Sequence, residues 1–436
     1  MESPNPLQRS VAVIGSGVSG LVAAYVLAQR DRVTLYEADT RLGGHAHTHQ
    51  IPLHRDEGPT GDTLAVDSAF LVHNDRTYPT LCRLFDELGI ATRETDMSMS
   101  VRDDASGLEY AGARGIGGLF PSLSSLTRPR YLYMLTEVKR FHRKALRLLD
   151  SDADNATVRE FLDRHGFSQY FIDHFMTPLI AAVWSSPPGQ SLQYPARYLF
   201  VFLEHHGMLS VFDSPTWRTV VGGSVTYVDA VAAFIDEVRL GAAVRSVRRL
   251  PDGVEVSDGT SGPRRFDAAV IATHPDQALL MLAEPTSAER SVLGAIGYCT
   301  NHAQLHTDES VLPTRRRARA SWNYLATADD AQVMVTYDVT RLMRLGGDSR
   351  FLVTLGGEHR VDPASVLTEM TYSHPMYTPD SVAAQQLLPT LDDDRVVFAG
   401  AYHGWGFHED GAASGLRAAQ RLGVEWPALA REAVPC

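Results

Sequence analysis

The sequence predicts an α/β protein in which a Rossmann-like dinucleotide-binding domain is joined to a second, α+β domain. The first observation is an apolar, β-branched run at residues 11–14 that leads into a glycine-rich turn and then an apolar helical stretch. The others are helix patterns between residues 157 and 207 and short apolar runs between residues 332 and 355. The first pattern is typical of a parallel sheet with crossover helices, and the others indicate a separate α+β unit.

The turn Gly15-Ser-Gly17-Val-Ser-Gly20 has the spacing of a dinucleotide-binding loop. Gly15 permits a tight turn, Gly17 lets the backbone approach a pyrophosphate, and Gly20 lets the next helix pack close to the strand. The N-terminus of that helix offers unpaired N–H groups to the phosphates. Glu37 follows a second predicted strand and is expected to accept hydrogen bonds from the adenosine ribose. The alternative is a glycine turn that only packs helix on strand.

Two further glycine-rich stretches lie far apart in the chain. Arg41-Leu-Gly43-Gly44-His45 comes just after Glu37, and residues 396–415 contain Gly400-Ala-Tyr-His-Gly-Trp-Gly406-Phe-His-Glu-Asp410. With the glycine loop and the strand-like segment around Val244, they resemble the flavin amine oxidase and phytoene desaturase superfamily in order and over almost the whole chain.

The resemblance implies non-covalent FAD and the two-domain architecture of amine oxidases. It implies a discontinuous FAD-binding domain at residues 1–74, 216–283 and 393–436, and a substrate domain at 75–215 and 284–392 with a helical cap and an antiparallel sheet. Together with the glycine loop, it assigns to FAD the residues Gly15, Gly17, Ser19, Gly20, Glu37, Ala38, Arg41, Gly43, Gly44, His45, Val244, Gly400, Ala401, Phe407, His408 and Glu409.

The resemblance also supplies two candidate catalytic residues, Phe407 and His408. Phe407 falls where amine oxidases place one wall of their aromatic substrate cage. The backbone amides of His408 and Glu409 are expected at the polar edge of the flavin. The alternative for Glu409 and Asp410 is that both cap the last helix, because acidic side chains are favoured in a first helical turn.

A finer resemblance is to bacterial polyenoic fatty acid isomerases. It rests on residues 73–79, 96–100, 182–188 and 406–410, which read HNDRTYP, DMSMS, AVWSSPP and GFHED. It implies hydride abstraction from a lipophilic, unsaturated, acyl-like substrate, giving desaturation or double-bond isomerisation. The alternatives are a flavin oxidase of a small amine or secondary metabolite, and a lipid-binding escort protein that shares the fold without catalytic flavin.

The two lysines separate this chain from typical amine oxidases. Many members of that group keep a lysine that holds a water at the reactive nitrogen of the flavin. Lys139 and Lys144 both lie outside the matching position, in a basic amphipathic helix pattern. This departure favours chemistry on C–H bonds beside a double bond over amine oxidation.

The helical cap is predicted from its end signals. Thr157 and Glu160 form a capping box that begins a helix over residues 158–165, and Gly166 ends it. A second helix is expected over residues 170–184 with a break at Pro178, and a third over residues 198–207. A helical cap over a sheet suits an enclosed apolar cavity, although any one of these aromatic residues is more often simple core packing.

Composition excludes several classes of protein. The formal net charge of −12 argues against nucleic acid as a partner, and no run of eighteen apolar residues predicts a membrane span. A Gly-Lys pair and a G-x-S-x-G motif are both absent, which excludes P-loop and common hydrolase chemistry. Three scattered cysteines and an N-terminus without the pattern of a signal peptide predict a cytoplasmic setting.

Two charged or metal-like patterns are ambiguous. His45, His47 and His49 alternate along the chain, but hydrogen-bonding histidines are favoured over a metal site, and no metal is predicted. The basic segment from Arg128 to Arg147 is a candidate contact with anionic lipid or an acyl carrier. A solvated helix face is the alternative.

Overall fold

The computed structural model describes residues 8–55, 58–150, 156–184, 192–209, 214–326 and 334–427. The strands are β1 Ser10–Ile14, β2 Arg32–Tyr36, β3 Thr48–Arg55, β4 Gly58–Asp67, β5 His73–Asn74, β6 Thr92–Glu94, β7 Met99–Asp103, β8 Leu108–Gly112, β9 Trp217–Val220, β10 Glu237–Arg239, β11 Ser246–Leu250, β12 Gly253–Ser257, β13 Arg264–Phe266, β14 Ala268–Ile271, β15 Tyr298–His306, β16 Trp322–Ala326, β17 Met334–Asp338, β18 Leu352–Leu355, β19 Val366–Pro375 and β20 Val396–Phe398.

The helices alternate with these strands in the flavin-type part of the chain and cluster in the cap. They are α1 Val18–Leu27, α2 Pro79–Leu88, α3 Gly115–Leu119, α4 Pro129–Leu149, α5 Val158–Arg164, α6 Gln169–Phe171, α7 Thr177–Trp184, α8 Ala196–His205, α9 Val225–Ala232, α10 Pro275–Met281, α11 Ser287–Gly294, α12 Val339–Leu342, α13 Pro379–Gln385 and α14 His408–Arg421. Among the helices described, none combines the length and apolar character needed to cross a bilayer.

A parallel sheet in the order β10–β2–β1–β14–β20 forms the Rossmann-like domain. Its strands come from three separated parts of the chain, as the predicted fold requires. The predicted strand–turn–helix–strand unit is confirmed, with α1 beginning at Val18 directly after the glycine loop. Every residue of α1 is buried, because the sheet covers one side and α14 packs across the other.

A second sheet runs in the order β19–β15–β18–β17–β16–β7–β8. The expected antiparallel pairing is found throughout except between β7 and β16, which are parallel. β7 and β16 come from the two different predicted insertions, so this pairing unites the insertions in one sheet. A smaller sheet, β5–β9–β6, joins strands from both predicted domains, and the exact domain limits remain a proposal.

The capping box at the start of α5 is confirmed. Thr157 Oγ1 accepts a hydrogen bond from Glu160 N at 3.2 Å, and Glu160 Oε2 accepts one from Thr157 N at 2.9 Å. Gly166 follows the helix with a φ of +62°, a left-handed conformation that suits glycine at a helix end. The third cap helix, α8, begins two residues before its predicted start.

The predicted break at Pro178 is wrong. The chain continues from α6 through a π-helical turn, Ile172–Met176, into α7. Pro178 lies in the first turn of α7, directly after the π-helical turn, and that wider turn relieves the clash between the proline ring and the preceding carbonyl groups. Pro187 and Pro188, the predicted end of this segment, lie outside the described residues.

Candidate functional site

A cavity of about 780 Å³ extends from the carboxyl ends of β1 and β2 to a group of aromatic side chains below α8. This volume lies within the range typical of cofactor and ligand sites. The glycine loop and Glu37 line one end, and Phe202 and Phe407 line the other. The cavity therefore begins at the predicted dinucleotide site and ends in the cap.

The glycine loop is shaped to admit a pyrophosphate. Gly15 has a φ of +98°, and a Cβ there would lie 2.7 Å from the carbonyl oxygen of Ala272. A Cβ on Gly20 would overlap the carbonyl oxygen of Gly15, whereas one on Gly17 would meet nothing within 4 Å. No side chain caps the N-terminus of α1. Space at Gly17 and uncapped N–H donors together fit the phosphates of a dinucleotide.

Glu37 lies at the edge of this end of the cavity. Its carboxylate accepts hydrogen bonds from Ser16 N at 2.9 Å, Ser16 Oγ at 2.5 Å and Asp39 N at 2.8 Å. These contacts fix the carboxylate beside the glycine loop. Because a carboxylate offers about four acceptor positions, it retains capacity for ribose hydroxyls.

Replacing Glu37 by alanine is expected to weaken FAD binding by about 1–3 kcal/mol, because ribose hydroxyls and the Ser16 amide lose their acceptor. The measurement is the dissociation constant for FAD after reconstitution of the apoprotein. Glu255→Ala, on β12 away from the cavity, is the control. Equal affinity in Glu37→Ala and the wild type would show that Glu37 does not bind the cofactor.

The Gly43–Gly44 turn packs against the glycine loop. A Cβ on Gly44 would lie 3.2 Å from Gly17 Cα, and Gly43 N donates to the carbonyl of Ser16 at 3.1 Å. The Arg41 guanidinium donates to the carbonyls of Gly44 at 2.9 Å and Leu42 at 3.3 Å. Arg41 thus stabilises the turn while also lining the cavity.

His45 presents a polar atom that no described residue satisfies. Its Nε2 is buried without a hydrogen-bond partner in the described part of the chain, and its ring lines the cavity. The pKa of His45 lies well below its ordinary value, mainly because the ring is buried and secondly because His374 lies nearby. The imidazole is therefore neutral. Leaving such an atom unsatisfied is costly. The site therefore fits a cofactor that supplies a polar partner there.

The other two histidines of the alternating run hydrogen-bond to protein groups. His47 Nδ1 lies 2.9 Å from Tyr372 Oη, and His49 Nε2 lies 2.8 Å from Ser68 Oγ. Among the described residues, no three His, Cys, Asp or Glu side chains are grouped so that they could hold a metal ion.

The C-terminal turn brings Phe407 to the opposite end of the cavity. Its ring stacks on Phe202, with centroids 4.7 Å apart and planes at 14°. Asp410 Oδ2 accepts from Phe407 N at 2.9 Å, so Asp410 caps α14. Burial raises the pKa of Asp410 to about 7.

Glu409 caps a different helix. Its carboxylate accepts from Thr80 N at 2.9 Å and Leu81 N at 3.0 Å, the first turn of α2. The alternative that both acids cap α14 is therefore wrong for Glu409, because the positive end of α2 lies against its side chain. The predicted contact of the Glu409 backbone with flavin remains a proposal.

The side chain of His408 is held by its neighbours. Its ring stacks on Phe70 at 3.8 Å and 9°, and Nε2 lies 3.0 Å from Tyr227 Oη. Burial lowers the pKa of His408 to about 3, so its imidazole is neutral. These contacts favour a role in orienting the turn over proton transfer.

The cavity gathers most of the residues assigned to FAD. Three of them do not line it, namely Gly20, Gly43 and Glu409. The assigned residues that line it are Gly15, Gly17, Ser19, Glu37, Ala38, Arg41, Gly44, His45, Val244, Gly400, Ala401, Phe407 and His408.

The cap end of the cavity, which we term the aromatic compartment, carries no charged side chain among its described residues. Their side chains are aliphatic, aromatic, thioether or imidazole groups. They are Ala69, Phe70, Leu71, Val72, Tyr78, Met97, Ala182, Val183, Phe202, His206, Met208, Trp217, Trp322, Tyr337 and Phe407.

His206 is a compartment residue that sequence reasoning missed. Its Nδ1 lies 2.9 Å from the carbonyl oxygen of Phe202, and a carbonyl only accepts, so Nδ1 carries the proton. Burial lowers the pKa of His206 to about 4. Nε2 of the neutral ring therefore bears a lone pair. The four-residue spacing of Phe202 and His206 on one helix face was the available signal.

The sequence places this site in a known family. Residues 18–330 and 354–423 match the family of flavin-containing amine oxidoreductases. The chain belongs to that family. That family is described as flavin-containing oxidoreductases, and the predicted amine oxidase-like architecture is confirmed.

Individual relatives differ in what they act on. The chain is 30% identical over 190 residues to protoporphyrinogen oxidase 2 of Arabidopsis thaliana, covering 41% of this chain and 33% of that protein. Its match therefore spans about a third of that curated relative. Cyclohexylamine oxidase from Brevibacterium oxydans has a similar structure, with a TM-score of 0.66, 18% identity, and coverage of 95% of this chain and 98% of the other.

A fatty acid isomerase also shares the fold. The structure of the CLA-producing fatty acid isomerase from P. acnes gives a TM-score of 0.66 at 15% identity, covering 95% of this chain and 98% of that one. At such identities these likenesses establish the fold.

Proposed function

We propose that this protein abstracts a hydride from a lipophilic, unsaturated, acyl-like substrate, giving desaturation or double-bond isomerisation. The observation that carries the proposal is the aromatic compartment without charged side chains among its described residues. A hydrocarbon chain gains roughly 25 cal/mol per Å² of apolar surface buried there. A buried ammonium group would lose hydration without a counter-charge.

When bound, FAD supplies the acceptor for the hydride. The chain's own residues hold the substrate and exclude water. Phe407 and Phe202 form a stacked wall, and Trp217 lies beside His206 with ring centroids 6.1 Å apart. Aromatic walls of this kind fix an alkyl chain in a few orientations, which raises the rate of a transfer that needs alignment.

A flavin oxidase of a small amine or secondary metabolite is the second candidate. It is favoured by the amine-oxidoreductase family to which the chain belongs. Such an enzyme would have to bind its amine in the neutral form, because the described compartment offers no carboxylate. An escort protein without catalytic flavin is disfavoured by the open space at Gly17 and the free acceptor capacity of Glu37.

Product analysis tests the proposed reaction. We expect purified holoprotein to convert long-chain unsaturated fatty acids or acyl thioesters into isomers or dienes. An isomer formed equally well without oxygen indicates that the hydride returns to the substrate, whereas a diene that requires an acceptor indicates desaturation. Colourless protein that cannot be reconstituted with FAD would favour the escort alternative, and unchanged lipids would contradict the proposed substrate class.

His206 distinguishes the two outcomes. Desaturation removes a proton as well as a hydride, and His206 Nε2 is a neutral acceptor in the compartment. His206→Phe is therefore expected to slow diene formation by about 10²-fold and to leave isomer formation unchanged. Because burial lowers the pKa of His206 to about 4, the wild-type rate should not fall as pH drops from 8 to 5.5. An inflection near pH 6.5 that His206→Phe abolishes would contradict the lowered pKa of His206, and equal rates of diene formation in His206→Phe and the wild type would contradict its role as proton acceptor.

We also propose that the protein is cytoplasmic and meets its lipid source through the segment from Arg128 to Arg147, most of which forms α4. Two arginines of this segment form hydrogen bonds within the protein. Arg128 donates to the carbonyls of Ser106 and Gly107, and Arg140 donates to Glu137. The exposed basic side chains of this segment are Arg130, Lys139, Arg143 and Arg147.

A further inference from the structure

Three aliphatic side chains project from one corner of the cap. Ile116 in α3 is 80% exposed, Leu123 is 84% exposed, and Leu126 is 51% exposed. Leu123 and Leu126 lie in a 3₁₀ turn, Leu123–Thr127, directly before α4. Exposed aliphatic residues grouped in this way are typical of interaction sites.

Hydrogen bonds hold this corner in place. Tyr131 Oη, at the start of α4, donates to the carbonyl of Leu119 at 2.7 Å. Phe120 N donates to the carbonyl of Ile116 at 2.8 Å. The Arg128 guanidinium donates to Ser106 O at 3.0 Å and Gly107 O at 3.1 Å, in the turn between β7 and β8. The backbone that carries the projecting side chains is therefore held in place by hydrogen bonds.

Exposed arginines flank the same corner. Arg315, Arg316 and Arg317 are all exposed, and Arg317 Cδ lies 3.9 Å from the position of a Cβ on Gly117 in α3. Glu109 fixes this basic turn by accepting from Thr314 N at 2.8 Å and Arg315 N at 3.0 Å.

The charge at this corner contrasts with the rest of the protein. The formal net charge of the chain is −12, yet the exposed residues beside the aliphatic side chains include Arg130 and the three consecutive arginines. Arg114, directly before α3, forms a salt bridge with Asp96, with 3.0 Å between Nη1 and Oδ2.

We propose that this corner, the apolar tip, docks on an anionic lipid bilayer. Ile116, Leu123 and Leu126 insert at the headgroup boundary, and Arg130 with Arg315, Arg316 and Arg317 contact lipid phosphates. Aliphatic side chains combined with nearby basic groups are typical of interfacial membrane binding. An acidic protein partner would pair with the arginines but would leave the exposed side chains of Ile116, Leu123 and Leu126 without an apolar contact. The inference extends the proposed lipid contact of the segment from Arg128 to Arg147, which shares Arg130 with this corner, to an adjacent apolar surface, and it is independent of the proposed reaction.

Vesicle co-sedimentation of the FAD-loaded protein tests the proposal. We expect binding to vesicles of equimolar phosphatidylcholine and phosphatidylglycerol, and little binding to phosphatidylcholine alone. The triple variant Ile116→Ser, Leu123→Ser, Leu126→Ser should bind roughly tenfold or more weakly. The control is the double variant Leu367→Ser, Leu387→Ser, which replaces two leucines that are 45% and 51% exposed but lie away from this corner. It should bind vesicles as the wild type does. Flavin absorbance confirms that each variant is folded.

Two outcomes of the vesicle experiment would overturn the proposal. Wild-type protein that stays in the supernatant shows that the tip does not dock on lipid. A triple serine variant that binds as the wild type does, while Arg315→Gln, Arg316→Gln, Arg317→Gln does not, shows electrostatic attraction without insertion, as expected of a surface for an acidic protein. Vesicle binding is measured without turnover. Protein that binds vesicles but converts no lipid therefore contradicts the proposed function and leaves the docking surface standing.

Discussion

Replacing Phe407 by alanine is expected to slow anaerobic reduction of the flavin by about 10²-fold, because a substrate misplaced by about 1 Å loses that much rate. Phe407 stacks on Phe202 at the cap end of the cavity, so its removal opens space beside the reacting carbon. FAD retention should change far less, since the dinucleotide end is formed by the glycine loop and Glu37. Stopped-flow absorbance under anaerobic conditions gives the reduction rate, and the flavin-to-protein absorbance ratio gives retention.

The control for Phe407→Ala is Phe234→Ala. Phe234 is 58% exposed and packs edge-on against Tyr25 in the Rossmann-like domain, away from the cavity. The flavin of the Phe234→Ala variant should be reduced as fast as the flavin of the wild type. Loss of FAD from Phe407→Ala without a change in the reduction rate of the remaining holoprotein would contradict the placement of Phe407 beside the substrate.

Affinity is expected to rise about fourfold for each methylene added to the substrate chain, since each buried methylene contributes roughly 0.8 kcal/mol. The gain should stop when the aromatic compartment is full. A homologous series of unsaturated acids, titrated against the flavin spectrum without oxygen, gives the dissociation constants. A series with constant affinity would show that the chain stays in water and that the compartment does not bind it.

Short-range signals predicted the parts of the fold that neighbouring residues determine. The left-handed φ of Gly15 and the reciprocal bonds between Thr157 and Glu160 both depend on residues close in sequence. The same holds for the strand ending at Tyr36 and followed by Glu37. Local geometry of this kind can be predicted without knowledge of the tertiary structure.

Long-range contacts account for what the sequence did not predict. Glu409 caps α2 through the backbone N–H of Thr80, 329 residues earlier in the chain, and no local pattern marks that pairing. The parallel pairing of Trp322 with Met99 likewise joins distant segments. His206 lies beside Trp217 and Phe407 because α8 packs against these distant parts of the chain, and this placement makes it a candidate proton acceptor. Such pairings depend on how whole elements pack, which periodicity does not specify.

The most direct test of the proposed substrate class is flavin bleaching in a single turnover without oxygen. Holoprotein is mixed with long-chain unsaturated acids or acyl thioesters in one series and with small primary amines in another. Lipids should reduce the flavin, or be isomerised with the flavin oxidised before and after the reaction, whereas amines should leave the spectrum unchanged. Rapid bleaching by amines, with neither bleaching nor isomerised product from lipids, would contradict the lipid assignment and favour the amine oxidase alternative.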